Sequence, residues 1–513
     1  MGFVDESLVT RKLIRRSVSA GLALATMTSS LWPRGAKAEE YAPYCQQNLT
    51  TIAKKDALRA GFLKGDRSDR RDYEAMIKAQ AEEMARCRRQ NPIKAQGMWI
   101  RLYPCDVEPG RIDEVFDRII DRGYNEVYVE TFFNGEVMLP ANDNPTAFEP
   151  MLRMKGLENR DLLAEVIEKG RARGLKVYSW MFSLNFGRNY AIKPDNQKTL
   201  IKNGRGQTST QTETTPGLGT TLGSLNPDEA FIDPYHVQVR QDYRRMMEAV
   251  LKRKPDGVLF DYIRYPRLKG RFSVASKVTD LWIYGEGSRS ALLQRAQNEK
   301  GRELMQRYVT KGELSAEDVT EVDQMFPAES AVPPLWQGRN PSPNENALSP
   351  YQRQRILSDD LWRFSVAHAM QGVVDFLAAA AEPAQKMGIP TGAVFFPGAN
   401  QTVNNGFDSR LQPWDRFSNT IAFYPMSYAT CGTSDCILRE INRVVRYAPQ
   451  GTSIRPVLAG IWQQSEGNRP PLEVQTQAVR ESLPQIDALS HFAYSWQEPK
   501  SDRDRKFCRP TKF

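Results

Sequence analysis

Several apolar runs of the sequence end in an acidic side chain, and these acids are the first candidates for chemistry. Asp261 closes the run at residues 257–260, and Glu130 lies near the end of an earlier run that starts at Glu126. An acid that terminates an apolar strand is costly to bury without a partner or a task. Arg264 follows Asp261 closely and is a candidate partner that would hold the Asp261 carboxylate ionised. The alternative is a purely structural Asp–Arg pair.

Aromatic and polar side chains follow the ends of the other apolar runs. Aromatic faces stack on the apolar faces of sugar rings, while carboxylates and amides bind hydroxyl groups, so this composition indicates sugar recognition. The predicted substrate-binding residues are Trp180, Asn185, Tyr262, Arg264, Tyr265, Tyr424, Tyr428, Trp462, Trp496 and Glu498. For the tryptophans, core packing is the competing interpretation.

Eight short runs rich in β-branched and aromatic residues alternate with amphipathic stretches, a pattern typical of parallel strands joined by helices. The predicted strands are residues 98–103, 126–131, 176–181, 257–261, 392–396, 420–424, 455–462 and 491–496. The predicted helices are residues 112–121, 160–173, 237–251, 361–381 and 472–481. Eight such units predict an α/β fold, a (β/α)₈ TIM barrel over residues 96–513, whose C-terminal strand ends share one mouth. The alternative is an open doubly wound sheet, but the first strand is not followed by the GxGxxG motif of a dinucleotide fold.

Two connections between the predicted strands are long. Residues 185–233 include a Gly- and Thr-rich stretch, and we expect them to form a loop over the mouth. Residues 270–350 form an insertion after the fourth strand, with a helical pattern at 289–311 and a Pro- and Asn-rich part at 331–350. Insertions after barrel strands lie on the catalytic face, so this one is expected to shape the substrate cleft. The alternative is a decorative insertion.

The N-terminal residues 1–38 have the layout of a secretory signal peptide. Arg15 and Arg16 precede a modest apolar run, and a small-x-small site follows at residues 36–38, which favours the twin-arginine route. The alternative is an uncleaved anchor, although the run is short for a bilayer span. We therefore predict export to the periplasm or the extracellular space, no transmembrane segment in the mature chain, and an N-terminal helical segment over residues 39–95.

The six cysteines are even in number, and export would permit disulfide bonds. The pairs that the spacing suggests are Cys431 with Cys436, Cys45 with Cys87 and, by elimination, Cys105 with Cys508. Metal binding is a weak alternative because the sequence has only three histidines and no CxxC or HxxxH motif. No metal and no cofactor is predicted.

The formal net charge of +9 is distributed without a concentrated basic stripe. Nearly half of it comes from the first 38 residues, and the remaining Lys and Arg are interspersed with Asp and Glu. This pattern argues against a nucleic-acid partner. A weak preference for an acidic polymer or a membrane surface stays open, and the sequence indicates no oligomeric state.

The order of several motifs resembles that of the family-10 glycosyl-hydrolase-like (YngK-type) TIM-barrel proteins of bacteria. Residues 254–266 resemble the fourth-strand signature of that family, and the resemblance extends over roughly residues 96–498. The other similar segments are residues 231–234, 239–240, 362–363, 392–397, 424–428 and 459–461. The chain departs from the pattern at strand four, where many relatives have two adjacent acids and this chain has Asp261 followed by Tyr262.

The resemblance implies hydrolysis of a glycosidic bond in a bacterial envelope or extracellular polysaccharide, with peptidoglycan glycan strands among the candidates. Such hydrolysis uses two carboxyl groups. The predicted catalytic residues are Asp261, Glu130 and Asp233. Glu130 is preferred as the partner of Asp261 because it ends an inner strand. Asp233 is supported by the resemblance but could instead cap the helix near Pro234. Glu498 competes with both. Two further alternatives are a non-catalytic glycan-binding barrel protein of the envelope and a structural envelope protein.

Overall fold

The computed structural model describes residues 44–211 and 228–508, so the predicted signal peptide at residues 1–38 lies outside the described residues. Its core is a ring of eight parallel strands. They are β1 Ala95–Ile100, β2 Glu126–Phe133, β3 Lys176–Phe182, β4 Gly257–Asp261, β5 Thr391–Phe395, β6 Ala422–Ser427, β7 Val457–Ala459 and β8 Ala488–Phe492. Each strand pairs with the next in the chain, and β8 pairs with β1, which closes the ring. The predicted TIM barrel is therefore confirmed.

Helices surround this ring and cover its outer face. Those of eight or more residues are α1 Leu49–Leu63, α2 Arg67–Gln90, α3 Arg111–Asp121, α4 Leu162–Ala172, α5 Val237–Leu251, α6 Glu286–Leu293, α7 Glu299–Lys311, α8 Ala316–Met325, α9 Pro350–Lys386, α10 Asp435–Tyr447, α11 Leu472–Ser482 and α12 Pro499–Lys506. The helix α3 shows why they pack there. It buries Ile112, Val115, Phe116 and Ile119, whose spacing places all four on one side of a helix.

Aromatic side chains fill the inside of the barrel, and glycines on the facing strands make room for them. The ring of Trp99 lies 4.8 Å from that of Tyr128. A Cβ atom added at Gly97 would lie 2.5 Å from the Tyr128 ring, and one added at Gly257 would lie 2.1 Å from the Tyr178 ring. The interior is thus a packed core rather than a pore, as in other TIM barrels.

The strand β2 presents three inward side chains at successive depths, because alternate residues of a strand face the same side. Glu126 lies at the N-terminal end of the barrel, where Arg455 binds both of its carboxylate oxygens at 2.9 Å. Tyr128 follows in the middle layer and donates its hydroxyl proton to Glu126 at 2.7 Å. Glu130 comes third, at the C-terminal mouth.

The N-terminal helices α1 and α2 are attached to the barrel through buried polar contacts with α3. Lys55 is fully buried and binds the Asp121 carboxylate at 2.5 Å. Asp117 accepts a hydrogen bond from the Tyr73 hydroxyl at 2.8 Å and another from Arg173 Nε at 2.9 Å. Because each buried charge has a partner, this interface can be both polar and closed to water.

The structure pairs all six cysteines as disulfides. The pairs are Cys45–Cys87, Cys105–Cys508 and Cys431–Cys436, with Cα–Cα distances of 5.8, 6.3 and 6.2 Å. These separations lie within the range of ordinary disulfides. They are the pairs that the spacing of the cysteines suggests.

The insertion after β4 contains α6, α7 and α8 and leads into the 37-residue helix α9. By length and composition α9 could cross a membrane. The sequence analysis predicted no transmembrane segment and did not identify this helix as a candidate. Of its most apolar window, 56% is buried inside the protein, as is usual for a core helix. It packs along α5 and the barrel wall, so its apolar side has a partner within the fold.

Candidate active site

Two acids, Glu130 and Asp261, lie on either side of β3 at the C-terminal mouth of the barrel. In the strand register, Trp180 of β3 is opposite Glu130 of β2, and Phe182 of β3 is opposite Asp261 of β4. The Trp180 indole Nε1 donates a hydrogen bond to Asp261 Oδ2 at 3.1 Å. Both acids are nearly buried, with 9% of the Glu130 side chain and 7% of Asp261 exposed.

Arg101, the first residue after β1, connects the two acids electrostatically. Its Nε donates to Glu130 Oε2 at 2.7 Å. Its guanidinium lies over the rings of Phe133 and Trp180, at 5.2 and 5.8 Å from their centres. Its charge also favours the ionised form of Asp261. Because 45% of the Arg101 side chain is exposed, this residue stands between the acids and the solvent.

The two carboxyl groups have different electrostatic environments. Burial raises the pKa of Glu130 to about 7; the charge of Asp261 adds to this rise and Arg101 opposes it. Burial also raises the pKa of Asp261, but the Tyr262 backbone N–H, at 2.6 Å, and the Trp180 indole both donate to its carboxylate and oppose the rise. Glu130 therefore keeps its proton up to near-neutral pH, whereas Asp261 has donors that suit an anion. A carboxyl that keeps its proton, beside a second carboxyl with donors for its charged form, is a pair suited to acid–base chemistry on a glycosidic bond.

Tyr262 holds the chain in a strained turn directly after Asp261. Its φ angle is 51°, in the left-handed region that aromatic residues rarely adopt. The ring stacks on Phe182 at 4.3 Å, and the hydroxyl donates to Glu229 at 3.1 Å. These contacts stabilise a conformation that directs the Tyr262 N–H at the Asp261 carboxylate, and strain of this kind is common at functional sites.

A wall of aromatic rings borders the acids on the side of β6 and β8. Phe492 lies 6.3 Å from Trp180, 6.0 Å from Tyr428 and 6.2 Å from Trp496, measured between ring centres. Burial raises the pKa of Tyr428, and the nearby charge of Asp261 adds to that rise. Tyr428 and Trp496 are partly exposed, so the wall presents ring surface on which a sugar could stack.

A cavity of about 620 Å³ opens beside Tyr262 and is lined by Arg264, Phe396 and Arg410. The Arg264 guanidinium lies 4.5 Å from the centre of the Tyr262 ring. Within residues 44–211 and 228–508, Arg264 forms no ion pair with Asp261, although its charge opposes the rise in the pKa of Asp261. Arg264 thus influences the Asp261 carboxylate through its charge and not through a direct ion pair.

The side chain of Asp233 is buried in a hydrogen-bond network. Its carboxylate accepts from Ser288 N at 2.8 Å, from Ser288 Oγ at 2.7 Å and from Tyr235 N at 3.0 Å. Ser288 belongs to the first turn of α6. Asp233 therefore joins the loop before α5 to the insertion.

Glu498 is paired with two arginines at the end of α3. Its carboxylate binds Arg118 at 3.0 Å and Arg122 at 2.9 Å. Arg118 is on α3 and Arg122 caps its C-terminal end. Glu498 thus fastens the segment before α12 to the outside of the barrel.

Four further predicted binding residues are used within the fold. Asn185 Oδ1 accepts from Ala230 N at 2.9 Å, and the Tyr265 hydroxyl donates to a backbone carbonyl of α9. The Tyr424 hydroxyl accepts from Arg455 at 2.7 Å at the N-terminal layer of the barrel. Trp462 donates its indole N–H to the Tyr124 hydroxyl at 3.0 Å, among the buried side chains behind the wall. The structure thus brings together Glu130, Asp261, Trp180, Tyr262, Arg264, Tyr428 and Trp496 and leaves these four outside.

Three residues of the site were missed by the sequence analysis. Arg101 follows β1 directly, so the rule that selected Asp261, a polar residue at a strand end, would have found it. Phe182 and Phe492 end their strands as ordinary apolar residues, and no local signal separates them from core residues. No group of three or more potential metal ligands occurs among the described residues.

A closed barrel with two buried carboxyls and an aromatic wall at its C-terminal mouth is the arrangement that glycosidase-type TIM barrels use. Residues 97–291 match the model of the family described as glycosyl hydrolase-like 10, which confirms the resemblance noted in the sequence. No curated relative matches the sequence.

Several solved structures are similar in fold. A family-20 exo-β-N-acetylglucosaminidase from Vibrio harveyi, an inactive mutant, is 10% identical, with 81% of this chain and 53% of that chain covered and a TM-score of 0.37. A family-20 β-N-acetylhexosaminidase from Streptomyces coelicolor is 8% identical, with 80% and 62% covered and a TM-score of 0.36. A hypothetical protein from Ruminiclostridium thermocellum is 11% identical, with 46% and 93% covered and a TM-score of 0.23. The chain spans about half of the length of the Vibrio protein.

Proposed function

We propose that the protein is an exported glycoside hydrolase that cleaves a bacterial envelope or extracellular polysaccharide, such as peptidoglycan glycan strands. The observation that carries the proposal is the pair of buried carboxyls at the mouth, where the pKa of Glu130 is raised to about 7 beside Asp261. Glu130 acts as the general acid, and Asp261 acts as the nucleophile or as the base that activates water.

The contacts of each residue support these roles. Glu130 gives its proton to the glycosidic oxygen as the bond to the anomeric carbon breaks, so the leaving sugar departs as a neutral alcohol. The Asp261 carboxylate, held by Trp180 and the Tyr262 N–H, stabilises the positive charge that develops at the anomeric carbon. Water supplies the hydroxyl of the new reducing end. Its remaining proton goes to Glu130 where Asp261 is the nucleophile, and to Asp261 where Asp261 is the base, and in the second case exchange with solvent restores both groups.

Export is the second part of the proposal. Three disulfides use all six cysteines, which is the usage expected of a protein that folds in an oxidising compartment. The signal-like layout of residues 1–38 points the same way. Fractionation of the native host would test it, and a protein recovered with reduced cysteines from the cytoplasm would contradict it.

The activity is tested by measuring the release of reducing ends from peptide-free peptidoglycan strands and from a panel of extracellular polysaccharides. Glu130→Gln and Asp261→Asn should each lower turnover by about 100-fold or more, the usual share of one acid or base. Glu299→Gln and Asp359→Asn, which alter well-exposed acids of α7 and α9, serve as matched controls, and thermal melts verify folding. Unchanged turnover in either mouth variant would remove that acid from the mechanism. Glycan binding without any release would instead favour the non-catalytic barrel protein.

A further inference from the structure

Three arginines converge on one phenylalanine in the cavity beside Tyr262. The guanidinium carbons of Arg410, Arg267 and Arg264 lie 4.7, 5.2 and 5.8 Å from the centre of the Phe396 ring. All four residues line the same cavity of about 620 Å³. The like charges therefore face a shared space rather than separate parts of the surface.

The charges in this space are only partly neutralised, because the cavity is lined by the three arginines and Lys269 but by two carboxylates, Glu229 and Asp408. Arg410 is paired with Asp408 through two hydrogen bonds, of 2.7 and 2.6 Å. Arg264 is buried, and its hydrogen bond is to the carbonyl of Tyr265 at 2.9 Å. Within the described residues neither Arg264 nor Arg267 has a carboxylate within ion-pair distance. A buried cation without a carboxylate at ion-pair distance would be stabilised by an anion bound beside it.

Two of the arginines destabilise the charged state of the third. Burial lowers the pKa of Arg267, the charges of Arg410 and Arg264 lower it further, and Asp408 opposes the change. A bound anion between the guanidinium groups would remove this repulsion. Guanidinium groups bind planar or tetrahedral oxyanions through paired N–H donors, which suits a carboxylate or a phosphate.

The position of the cavity connects it to the acids. Tyr262, which directly follows Asp261, forms part of the cavity wall beneath Arg264. A second cavity of about 370 Å³ shares Leu268 and Ser409 with the first and continues toward Lys277. The two cavities therefore lie next to each other.

We propose that Arg264, Arg267 and Arg410 form a subsite for an acidic group, a carboxylate or a phosphate, on a sugar next to the one that is cleaved. The inference rests on the proposed function, which supplies the glycan as substrate. It restricts that substrate to acidic polysaccharides. The acidic substituent sets the register of the glycan, because it must lie at Phe396 when the scissile bond lies between Glu130 and Asp261.

The test is a comparison of three simple probes on the intact chain. Binding of glucuronate, glucose 6-phosphate and glucose is measured by calorimetry or saturation-transfer NMR at fixed ionic strength. We expect at least one acidic sugar to bind about tenfold or more tightly than glucose, as charged hydrogen bonds allow. A preference for glucuronate would assign a carboxylate, and a preference for glucose 6-phosphate would assign a phosphate.

The variants decide whether the preference belongs to this cavity. Arg267→Gln, which changes an exposed side chain and spares the fold, should reduce the preference severalfold, and Arg264→Gln should reduce it further. Arg363→Gln on α9, at a well-exposed arginine paired with Asp359, should leave it unchanged. Equal binding of the three probes, or a preference that survives Arg267→Gln, would overturn the subsite.

This experiment is separate from the test of hydrolysis because its readout is binding. If the protein binds acidic sugars through Arg267 but releases no reducing ends, the subsite is supported and the proposed hydrolase activity is contradicted. If the protein cleaves neutral glycans and shows no preference among the probes, the hydrolase activity is supported and the subsite is contradicted.

Discussion

Single residues at the mouth have properties that follow from their neighbours. Glu130 is an ordinary glutamate whose pKa rises to about 7 because water is excluded from it and because Asp261 is near. Arg101 limits that rise through its 2.7 Å contact. The protonation state of the proposed acid is therefore set by a balance between burial and one cation.

The pH dependence of activity follows from this balance. A raised pKa means that Glu130 is protonated below pH about 7 and loses its proton above it. Since a general acid must be protonated, kcat/KM should fall with a one-proton slope above pH about 7. A pH profile measured on any cleaved glycan checks this, and a flat profile up to pH 9 would contradict the role of Glu130.

Replacing Arg101 should shift that profile. Arg101→Met removes the cation that favours the ionised form of Glu130. The pH at which kcat/KM falls should therefore rise by about 1 to 3 units, the usual effect of a close opposite charge. Arg101→Lys should restore most of the original midpoint. Lower activity at every pH without a shift of the midpoint would show that Arg101 only supports the structure.

Secondary-structure elements place these residues through strand register and strand ends. The sequence predicted β4 at its observed bounds, and with it the position of Asp261, because the run is short, apolar and bounded by turn residues. It placed β8 at residues 491–496, whereas the strand is Ala488–Phe492 and residues 494–497 form a short helix. Apolar residues continue across that boundary, so the pattern alone does not show where the strand ends.

Other features depend on contacts that a local pattern does not contain. The helix α9 begins at Pro350, eleven residues before the predicted start, since Ser349 caps it and Gln352 completes the capping box. Asp233 contacts Ser288 of the helix α6, which is distant in the sequence. The arginines at Phe396 come from segments after two different strands, so only the folded chain shows them together.

The glycines of the strands give a prediction about packing. At Gly257 of β4 an added Cβ would lie 2.1 Å from the Tyr178 ring, so Gly257→Ala should lower the free energy of unfolding by about 1–3 kcal/mol, as overpacked cores do. Gly398, where the nearest atom would lie 3.9 Å away, is the matched control. Urea unfolding compares the two, and equal stability of both variants would mean that the barrel interior is looser than described.

At the scale of the whole molecule, one disulfide joins the segment after α12 to the barrel. Cys105 lies just after β1 and Cys508 after α12, so this bond links residues 403 positions apart. Cys431–Cys436 closes a loop between residues five positions apart. In a TIM barrel the first and last strands are neighbours, and the long-range bond reinforces that closure.

Removing these two bonds should therefore have unequal effects. The double variant Cys105→Ser/Cys508→Ser should lose about 2–5 kcal/mol, because the bond restricts a very long loop of the unfolded chain. Cys431→Ser/Cys436→Ser should lose less. Thermal unfolding under oxidising conditions compares the stability of the two double variants. A larger loss of stability in Cys431→Ser/Cys436→Ser would contradict the prediction.

The most direct test of the whole account is a crystal structure of the Glu130→Gln variant with an uncleaved oligosaccharide from a glycan that the wild-type protein degrades. We expect the scissile glycosidic oxygen to lie within about 3 Å of the side chain at position 130, as a proton donor must. The anomeric carbon next to it should face Asp261, with a sugar ring against Phe492 or Tyr428. A glycan bound elsewhere on the barrel, or with its glycosidic bonds turned away from both acids, would contradict the account.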